Sequence, residues 1–401
     1  MRKPRPNPAE ANGATERVAG LKDRLRRWLQ TDALPFWGDV GVDKRNGGFV
    51  EHLTLEGQPA AVEYKRIRVQ ARQLYVFSQA ARAGWMSRAP KIARQGGEFL
   101  MRFGWDGNRQ IWLRSLAVDG RPYDTTVDLY DNSFSVFALA NWYRMGGDPR
   151  LLRRMEQTVL GVRRALAHPT GRGYWPAEDQ KDLSLQNHNM HWFEAMLAAW
   201  SVSGRDIFRD EALAIADLFQ RHLFDAAGGT LAEYFDARWQ RVQQDGEVPI
   251  EPGHHYEWSF LLNQFSALGG KVGRDVVPAL LAFADRAGIA ESGLVWDEVT
   301  AAGQPRKRSH RLWPQTEAIR AWAVRPLDDE EERARVLEPL LTALVDRYFA
   351  RKPAGTWNEH LDAGLEPFGD KVPTSSLYHI VAALAELLPR TTQEAPAASR
   401  R

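Results

Sequence analysis

Apolar residues return along most of the chain at the spacing of one face of an α-helix. Leu74, Phe77 and Ala81 follow this period, and so do Leu340 and Leu344. The pattern predicts two helices in each of six successive stretches. Their approximate ranges are 14–33, 65–84, 89–104, 127–146, 148–168, 187–203, 207–224, 254–269, 273–288, 311–325, 329–350 and 374–389.

Turn-forming and capping residues stand at the ends of several of these helices. Gly146-Gly147 and Gly204 lie where helices should stop, because glycine readily adopts the left-handed conformation that ends a helix. Asp148-Pro149 lies where a helix should begin, since an aspartate can cap the free N–H groups there. These signals support the helix boundaries that the apolar spacing predicts.

A short motif separates the helix pairs. It combines a glycine or turn, an aromatic or apolar residue and, in most copies, an acidic residue. Its copies start at 47, 111, 173, 229, 293 and 355, so they are 64, 62, 56, 64 and 62 residues apart. In four copies a second glycine turn follows, which predicts a short β-hairpin. The chain is therefore a sixfold repeat of about sixty residues.

Six equal helix pairs can stack as an open solenoid or close into a ring. An open solenoid needs polar capping repeats, whereas both terminal units here carry the aromatic motif. We therefore predict an all-α fold, an (α/α)6 barrel of about twelve helices with its short β-hairpins gathered at one end. The expected organisation is a single barrel domain over 13–390 between disordered tails, 1–12 and 391–401.

Composition excludes several classes of function. The 53 basic and 51 acidic residues nearly balance, which argues against a nucleic-acid partner. There is no cysteine, so disulfides, zinc–thiolate sites and thiol nucleophiles are excluded. No apolar run is long enough for a membrane helix, and no signal peptide is recognisable, so we expect a cytoplasmic protein without a membrane partner. The 15 tryptophans suit a sugar site, although core packing explains most of them.

Polar and ionisable residues concentrate at the starts of the predicted inner helices. Arg68 and Arg72 are four apart and share one face, which either points inward or is a solvated basic face. Asn187 and His191 share another face. His191 with His188 makes only a weak case for a metal, because no third ligand is near. We accordingly predict no metal.

The second half of the chain supplies acid–base candidates. His254 and Glu257 are three apart near a helix N-terminus, and a carboxylate beside an imidazole suits proton transfer near neutral pH. His379 near the start of the last helix would sit across the ring from His254. Trp313 and Glu317 are four apart and would share the inner face of another helix.

Taken together, these segments resemble the N-acylglucosamine 2-epimerase superfamily. The matching motifs run in the family order from about Leu34 to Leu388, nearly the whole chain. They are Arg68-Val-Gln-Ala-Arg72-Gln, Asn187-x-x-x-His191, Gly253-His254-x-x-Glu257-Trp, Trp313-Pro-Gln-Thr-Glu317 and Tyr378-His379.

The resemblance implies a cofactor-free enzyme that moves a proton at C2 of a sugar. It implies that His254 and His379 are the acid/base pair. It also implies that Arg68, Arg72, Asn187, His191, Glu257, Trp313 and Glu317 line the sugar site. The expected partner is a small monosaccharide, and the protein is expected to be a monomer or a homodimer.

Two forms of the motifs look more like the mannose isomerase branch. They are Arg68-x-Gln-x-Arg72 and His254-His255-Tyr256-Glu257-Trp258; cellobiose epimerases carry His-Thr-Arg where this chain has Gln70-Ala71-Arg72. The resemblance therefore implies an aldose–ketose isomerase that interconverts D-mannose and D-fructose through a cis-enediol(ate). The alternatives are a sugar 2-epimerase, a glycoside hydrolase that recruits Glu257 and Glu317, and a sugar-binding barrel without catalysis.

Overall fold

Paired helices make up most of the molecule. The computed structural model describes residues 8–327 and 329–388. Its α-helices are α1 (Pro8–Arg27), α2 (Leu34–Asp39), α3 (Ile67–Arg82), α4 (Ala89–Phe103), α5 (Leu129–Gly146), α6 (Pro149–Leu166), α7 (Gln186–Ser203), α8 (Asp206–Leu218), α9 (Pro252–Ala267), α10 (Val276–Ala287), α11 (Leu312–Val324), α12 (Glu330–Ala343) and α13 (Leu377–Leu387). Three π-helical turns, Trp28–Ala33, Phe219–Leu223 and Leu344–Tyr348, extend α1, α8 and α12, and a 3-10 turn, Thr374–Ser376, precedes α13.

The strands are short and lie between the helices. They are β1 (His52–Leu53), β2 (Tyr64–Arg66), β3 (Trp105–Asp106), β4 (Ile111–Trp112), β5 (Ser115–Ala117), β6 (Pro122–Asp124), β7 (Ser184–Leu185), β8 (Phe224–Asp225), β9 (Thr230–Leu231), β10 (Tyr234–Phe235), β11 (Pro249–Ile250), β12 (Glu298–Thr300), β13 (Pro305–Lys307), β14 (His310–Arg311), β15 (His360–Leu361), β16 (Pro367–Phe368) and β17 (Val372–Pro373). All pairings between them are antiparallel.

Alternate helices form a closed inner ring. Each of α3, α5, α7, α9 and α11 packs against the next in this series, α11 packs on α13, and α13 packs back on α3. The inner helices α7 and α9 are buried on nearly every side, as expected of helices surrounded by protein. The remaining long helices form the outer layer. The predicted (α/α)6 barrel is thus confirmed.

The first and last units of the chain meet in the closed ring. Strand β1 pairs with β17, which places His52 opposite Pro373 and Leu53 opposite Val372. Nearby, the ring of Trp37 stacks on Trp357 with centroids 5.0 Å apart. These contacts explain why neither terminal unit needs a polar capping repeat.

Several predicted helix boundaries are confirmed by their caps. Gly147 and Gly204 end α5 and α7 in the left-handed conformation, with φ of 69° and 63°. The side chain of Asp148 accepts a hydrogen bond from the N–H of Arg150 at the start of α6. The helix predicted over 14–33 is wider in the structure, since α1 starts at Pro8 and α2 continues to Asp39.

The predicted domain limits can be compared with the structure only in part. Helix α1 overlaps the segment 1–12, for which the sequence predicted a disordered tail. Residues 1–7 and 389–401, which include the predicted C-terminal tail 391–401, lie outside the described residues. Within the described part of the chain, no helix combines the length and apolar character needed to cross a lipid bilayer.

The hairpins occupy one end of the barrel, at the N-termini of the inner helices. Strands β2, β7, β11 and β14 each run directly or almost directly into α3, α7, α9 and α11. Three of the four predicted hairpins are present as β5–β6, β12–β13 and β15–β16, and the first is reduced to a single antiparallel bridge between Leu53 and Pro59. This arrangement brings the polar residues that start the inner helices together at one end of the ring.

Candidate active site

A polar cavity of about 270 Å³ lies at this end of the ring. Seven of the residues that the sequence singled out line it, namely Arg72, Asn187, His191, His254, Glu257, Trp313 and His379. Six further lining residues were not among the predicted site residues, namely Tyr130, Glu251, Arg311, Glu359, Ser375 and Ser376. The cavity is therefore built from side chains of inner helices α3, α5, α7, α9, α11 and α13 and the segments that precede them.

His254 lies in the first turn of α9 and faces two carboxylates. Its Nδ1 is 2.9 Å from Glu233 Oε2 and 3.8 Å from Glu251 Oε2. Burial alone would lower the pKa of His254, but the charge and hydrogen bond of Glu233 and the charge of Glu251 together outweigh burial, and the pKa is raised above 6.5. This imidazole therefore holds its proton more strongly than an ordinary histidine does.

The predicted pairing of His254 with Glu257 is wrong. Glu257 lies one turn further along α9, and its Oε1 is 3.9 Å from Nδ1 of His191. Burial raises the pKa of Glu257 well above 4.5, and the neighbouring carboxylates Glu317 and Glu194 raise it further. Spacing within one helix could not reveal that Glu233, from the hairpin segment before α9, reaches His254 first.

His379 is the second imidazole on the cavity wall, and its surroundings shift its pKa in the direction opposite to that of His254. Its Nδ1 is 2.8 Å from Oε1 of Glu317. Burial outweighs the attraction to Glu317, so the pKa of His379 is lowered below 6.5. Trp313 contacts both imidazoles, with ring centroids 4.8 Å from His254 and 5.9 Å from His379. Both imidazoles therefore border one cavity and share an indole ring as neighbour.

His191 is a third buried imidazole in the cavity. Its Nδ1 is 3.1 Å from Glu194 Oε2, and burial lowers its pKa to about 4. Because the neutral ring donates Nδ1–H to a carboxylate, its Nε2 carries the lone pair. His191 can therefore accept a hydrogen bond from a substrate hydroxyl.

Arg72 brings a buried positive charge to the cavity. Its side chain donates a hydrogen bond of 2.7 Å to the Tyr130 hydroxyl and lies 4.1 Å from the centre of the Phe134 ring. Its Nε has no hydrogen-bond partner among the described residues. A guanidinium that is held by aromatic rings and retains an unused donor is suited to an oxyanion.

Arg68 and Glu317 do not line the cavity. Arg68 instead pairs with Asp131 at 2.6 Å and with Asp128 at 3.1 Å, so its guanidinium joins α3 to α5. Glu317 is fully buried beneath His379. The hydrolase alternative required Glu257 and Glu317 on either side of a glycosidic bond, and a Glu317 enclosed in protein does not meet that requirement.

The sequence showed the acidic position of the repeat but not the role of that position. In three units its carboxylate accepts a hydrogen bond from the backbone N–H of the residue just before an inner helix. These bonds join Glu51 to Arg66 at 3.0 Å, Glu233 to Glu251 at 3.1 Å and Asp297 to Arg311 at 2.6 Å. The repeated acid thus fastens each hairpin to the helix whose N-terminus faces the cavity.

Glu359 occupies the same motif position in the last unit. It accepts hydrogen bonds from the Ser376 hydroxyl at 2.8 Å and from Trp357 Nε1 at 3.0 Å. Burial nevertheless raises the pKa of Glu359 to about 7. This cavity-lining carboxyl can therefore be either a donor or an acceptor near neutral pH.

One cluster in the described residues has metal-ligand geometry. Ligand atoms of His191, Glu194 and Glu257 lie within 4.8 Å of one another. Glu194 already accepts hydrogen bonds of 2.7 Å from the Tyr378 hydroxyl, and Arg320 lies 3.4 Å from its Oε1. A cation there would have to compete with these donors. The expectation of no metal and no cofactor stays a prediction.

Comparison with known proteins agrees with the architecture. Residues 47–383 match the N-acylglucosamine 2-epimerase (GlcNAc 2-epimerase) family. A mannose-6-phosphate isomerase of Rhizobium meliloti (strain 1021) is 31% identical over 90% of this chain and 95% of its own. A D-mannose isomerase of Thermobifida fusca is 27% identical over 65% of this chain and 69% of its own. The solved cellobiose 2-epimerase of Bacillus thermoamylovorans B4167 superposes with a TM-score of 0.83 at 18% identity, covering 92% and 99% of the two chains.

A closed ring of six helix pairs with imidazoles and carboxylates around a small polar cavity fits a class of enzymes that isomerise or epimerise sugars. The chain belongs to the N-acylglucosamine 2-epimerase family. The resemblance inferred from the five motifs is thereby confirmed at the level of the family.

Proposed function

We propose that the protein is an aldose–ketose isomerase that interconverts D-mannose and D-fructose, with His254 and His379 as its acid/base pair. The observation that carries this proposal is that two imidazoles line one cavity in surroundings that shift their pKa values in opposite directions. The pKa of His254 is raised and that of His379 is lowered. Two titratable groups whose environments separate their pKa values suit one acid role and one base role.

His379 is the proposed base. It is neutral at pH 7, and its Nδ1–H points to Glu317, which leaves the Nε2 lone pair for a substrate proton. In the open-chain aldose it removes the proton from C2. The C2–H electron pair forms the C1=C2 double bond, and the aldehyde oxygen gains the charge of the former C=O bond.

His254 is the proposed acid. As an imidazolium paired with Glu233 it gives a proton to the oxygen on C1, and the enediol forms. It then takes the proton from the oxygen on C2 as the C2=O bond forms. The double-bond electrons capture the proton held by His379 at C1, which yields the ketose and restores both histidines.

The other predicted site residues bind and orient the sugar in this proposal. Arg72 stabilises the oxyanion, and Asn187 and His191 bind hydroxyl groups. Trp313 offers an apolar surface to the pyranose. Glu257, whose Oε1 has no hydrogen-bond partner in the described structure, assists ring opening as a neutral carboxylic acid. Arg68 and Glu317 act from behind the cavity wall.

A sugar 2-epimerase is the second candidate. The presence of two imidazoles, His254 and His379, on the wall of one cavity favours it, because epimerisation needs acid/base groups on both faces of C2. The isomerase is preferred because two curated relatives named above are isomerases, one of them 31% identical over nearly the whole chain. Isomerisation needs only one face of the enediol.

Incubation with D-mannose in D2O, followed by NMR, tests the proposal. We expect fructose that carries deuterium at C1. Glucose deuterated at C2 would favour the epimerase, and a lack of both products would contradict a mannose isomerase.

Mannose 6-phosphate in a parallel sample shows whether the substrate carries phosphate, and p-nitrophenyl mannoside tests hydrolysis. The monomer or homodimer and the cytoplasmic location remain predictions.

A further inference from the structure

A buried group of side chains closes the cavity toward the barrel interior. We call Glu194, Glu317, Arg320 and Tyr378 the cavity floor. Arg320 is 4% exposed and lies 3.8 Å above the Phe260 ring. Beyond the floor a second space of about 380 Å³ is lined by the C-terminal ends of the inner helices. Arg320 borders this second space and does not line the sugar cavity.

Arg320 joins two carboxylates that hold different imidazoles. Its Nη1 is 3.4 Å from Oε2 of Glu317, and its Nη2 is 3.4 Å from Oε1 of Glu194. Glu317 in turn contacts Nδ1 of His379 at 2.8 Å, and Glu194 contacts Nδ1 of His191 at 3.1 Å. A single guanidinium therefore stands between two carboxylate–imidazole pairs on opposite walls of the cavity.

We propose that Arg320 is a positioning residue that keeps both carboxylates ionised and thereby fixes His191 and His379 as Nδ1–H tautomers. Resting on the proposed function, this assigns Arg320 a part in the reaction without contact with the sugar. An anionic carboxylate can only accept a hydrogen bond, so the imidazole must donate Nδ1–H. The Nε2 atoms are then left as acceptors for the substrate.

Electrostatics explains why a cation is needed at this point. Three carboxylates, those of Glu194, Glu257 and Glu317, are buried together and repel one another. Burial raises the pKa of Glu194 and of Glu317, but their partners, including Arg320, lower both below 4.5, that of Glu194 to about 2. Without the guanidinium, a second carboxylate would take up a proton. A protonated Glu317 could donate to Nδ1 of His379 and move the ring proton to Nε2.

The charged and titratable groups around Arg320 come from several helices. They are Tyr75 and Arg72 of α3, Glu194 and His191 of α7, Glu257 of α9, Glu317 of α11 and Tyr378 and His379 of α13. Among them, Arg72 also carries a positive charge, but it lines the sugar cavity and donates to Tyr130 rather than to either carboxylate. The bridge between Glu194 and Glu317 is made by Arg320.

The test compares Arg320→Gln and Arg320→Lys with the wild-type enzyme in mannose isomerisation over a range of pH. For Arg320→Gln we expect kcat at neutral pH to fall by roughly 10- to 100-fold. We also expect its acid limb to move upward by about one pH unit or more, because the hydrogen-bonded pair of Glu317 and His379 loses the cation that opposes its protonation. Arg320→Lys keeps the positive charge, so its acid limb should lie at the wild-type pH and its kcat should recover in part.

Arg325→Gln is the matched control. Arg325 directly follows α11, the helix that carries Arg320, and pairs with Asp285 at 3.0 Å rather than with Glu194 or Glu317. Its loss should leave the pH profile unchanged. An Arg320→Gln enzyme whose acid limb stays in place would overturn the role, even if kcat falls, because a structural defect alone lowers activity without moving the limb.

Nitrogen-15 NMR of the histidine rings separates this inference from the proposed function. Wild-type protein at pH 7 should show His191 and His379 neutral and protonated on Nδ1. Nε2–H signals for these rings would contradict the inference whether or not the protein isomerises mannose. Wild-type protein without activity on any sugar, but with the Nδ1–H signals, would contradict only the function. If Arg320→Gln does not fold, Arg320→Lys tests the proposed role of Arg320. Wild-type tautomers and an acid limb at the wild-type pH would then support that role. An acid limb displaced from the wild-type pH would contradict it.

Discussion

At the scale of single residues, the proposed chemistry depends on how each imidazole is held. His254 faces Glu233 at 2.9 Å and His379 faces Glu317 at 2.8 Å, yet their pKa values move in opposite directions. The second carboxylate near His254, Glu251, adds to the attraction that keeps its proton. A bell-shaped pH profile follows, whose acid limb reports His379 and lies below the ordinary histidine pKa. The alkaline limb reports His254 and lies above it.

Glu233→Gln should move the alkaline limb to lower pH by about one unit or more, because an opposite charge at this distance typically contributes that much. The sign follows from the linkage: His254 loses the anion that raises its pKa, so the imidazolium gives up its proton at lower pH. The measurement is kcat/KM for mannose over a pH range that spans both limbs. The acid limb should stay in place.

Glu211→Gln is a suitable control for this variant. Glu211 is also a buried glutamate, but it lies on the outer helix α8 and accepts hydrogen bonds from Tyr174 and Trp192. Its pH profile should match that of the wild type. An alkaline limb that Glu233→Gln does not move would show that His254 is not the group titrating there.

The sequence predicted which residues line the cavity better than it predicted the partners of those residues. The motifs named both histidines of the pair, Arg72, Asn187, His191, Glu257 and Trp313, and all of these line the cavity. Spacing on one helix suggested Glu257 for His254, but the true partner comes from another segment. Local periodicity reports which side chains share a face, whereas it carries no information on which hairpin lies over that face.

At the scale of elements, the N-terminus of α9 packs closely against the first turn of α11. A side chain at Gly253 would place its Cβ 2.7 Å from the indole ring of Trp313 and 3.0 Å from Pro314. The helix therefore needs glycine here for packing rather than for a left-handed conformation. The same close packing positions the Trp313 ring, which contacts both His254 and His379.

Gly253→Ala should displace the Trp313 ring and weaken sugar binding. We expect KM for mannose to rise by about tenfold, since overpacking of this kind typically costs about 1–3 kcal/mol. Gly20→Ala is the control, because Gly20 also lies within a helix and a Cβ added there would meet no atom within 4 Å. A KM unchanged in Gly253→Ala would contradict the proposed contact between Trp313 and the sugar.

The repeat motif was visible as a sequence pattern, but its physical role was not. Aromatic residues and glycine drew attention to a sugar site, whereas the acidic position of the motif holds the start of the next inner helix. This could not be read from the sequence, because the bond joins a side chain to a backbone N–H some fourteen to eighteen residues away. Almost any residue type can donate a backbone N–H, so the residue at the donor position gives no sign of the bond.

At the scale of the whole molecule, the barrel depends on closure between its first and last units. Trp37 is fully buried, its Nε1 donates to the carbonyl of Gly355 at 3.0 Å, and its ring stacks on Trp357. Closure was predictable from equal repeat lengths and the aromatic motif in both terminal units. The pairing of β1 with β17 was not, because these two-residue strands are too short to give an alternating pattern.

Trp37→Ala should destabilise the whole barrel by about 3–5 kcal/mol, because it opens a cavity and removes a buried hydrogen bond at the closure. Urea denaturation followed by circular dichroism measures the change. Leu160→Ala is the control, since Leu160 is 42% exposed on the outer surface. An unchanged midpoint for Trp37→Ala would show that the ring does not depend on this contact.

The most direct test of the proposed chemistry follows the hydrogen on C2. Mannose deuterated at C2 is incubated in water with the wild-type enzyme and with His379→Asn and His254→Asn, and loss of deuterium from C2 is followed by NMR. We expect the wild type to remove it and His379→Asn to be slower by roughly 100-fold or more, as for loss of a general base. His379→Asn that removes the deuterium at the wild-type rate would contradict the assignment of this imidazole as the base.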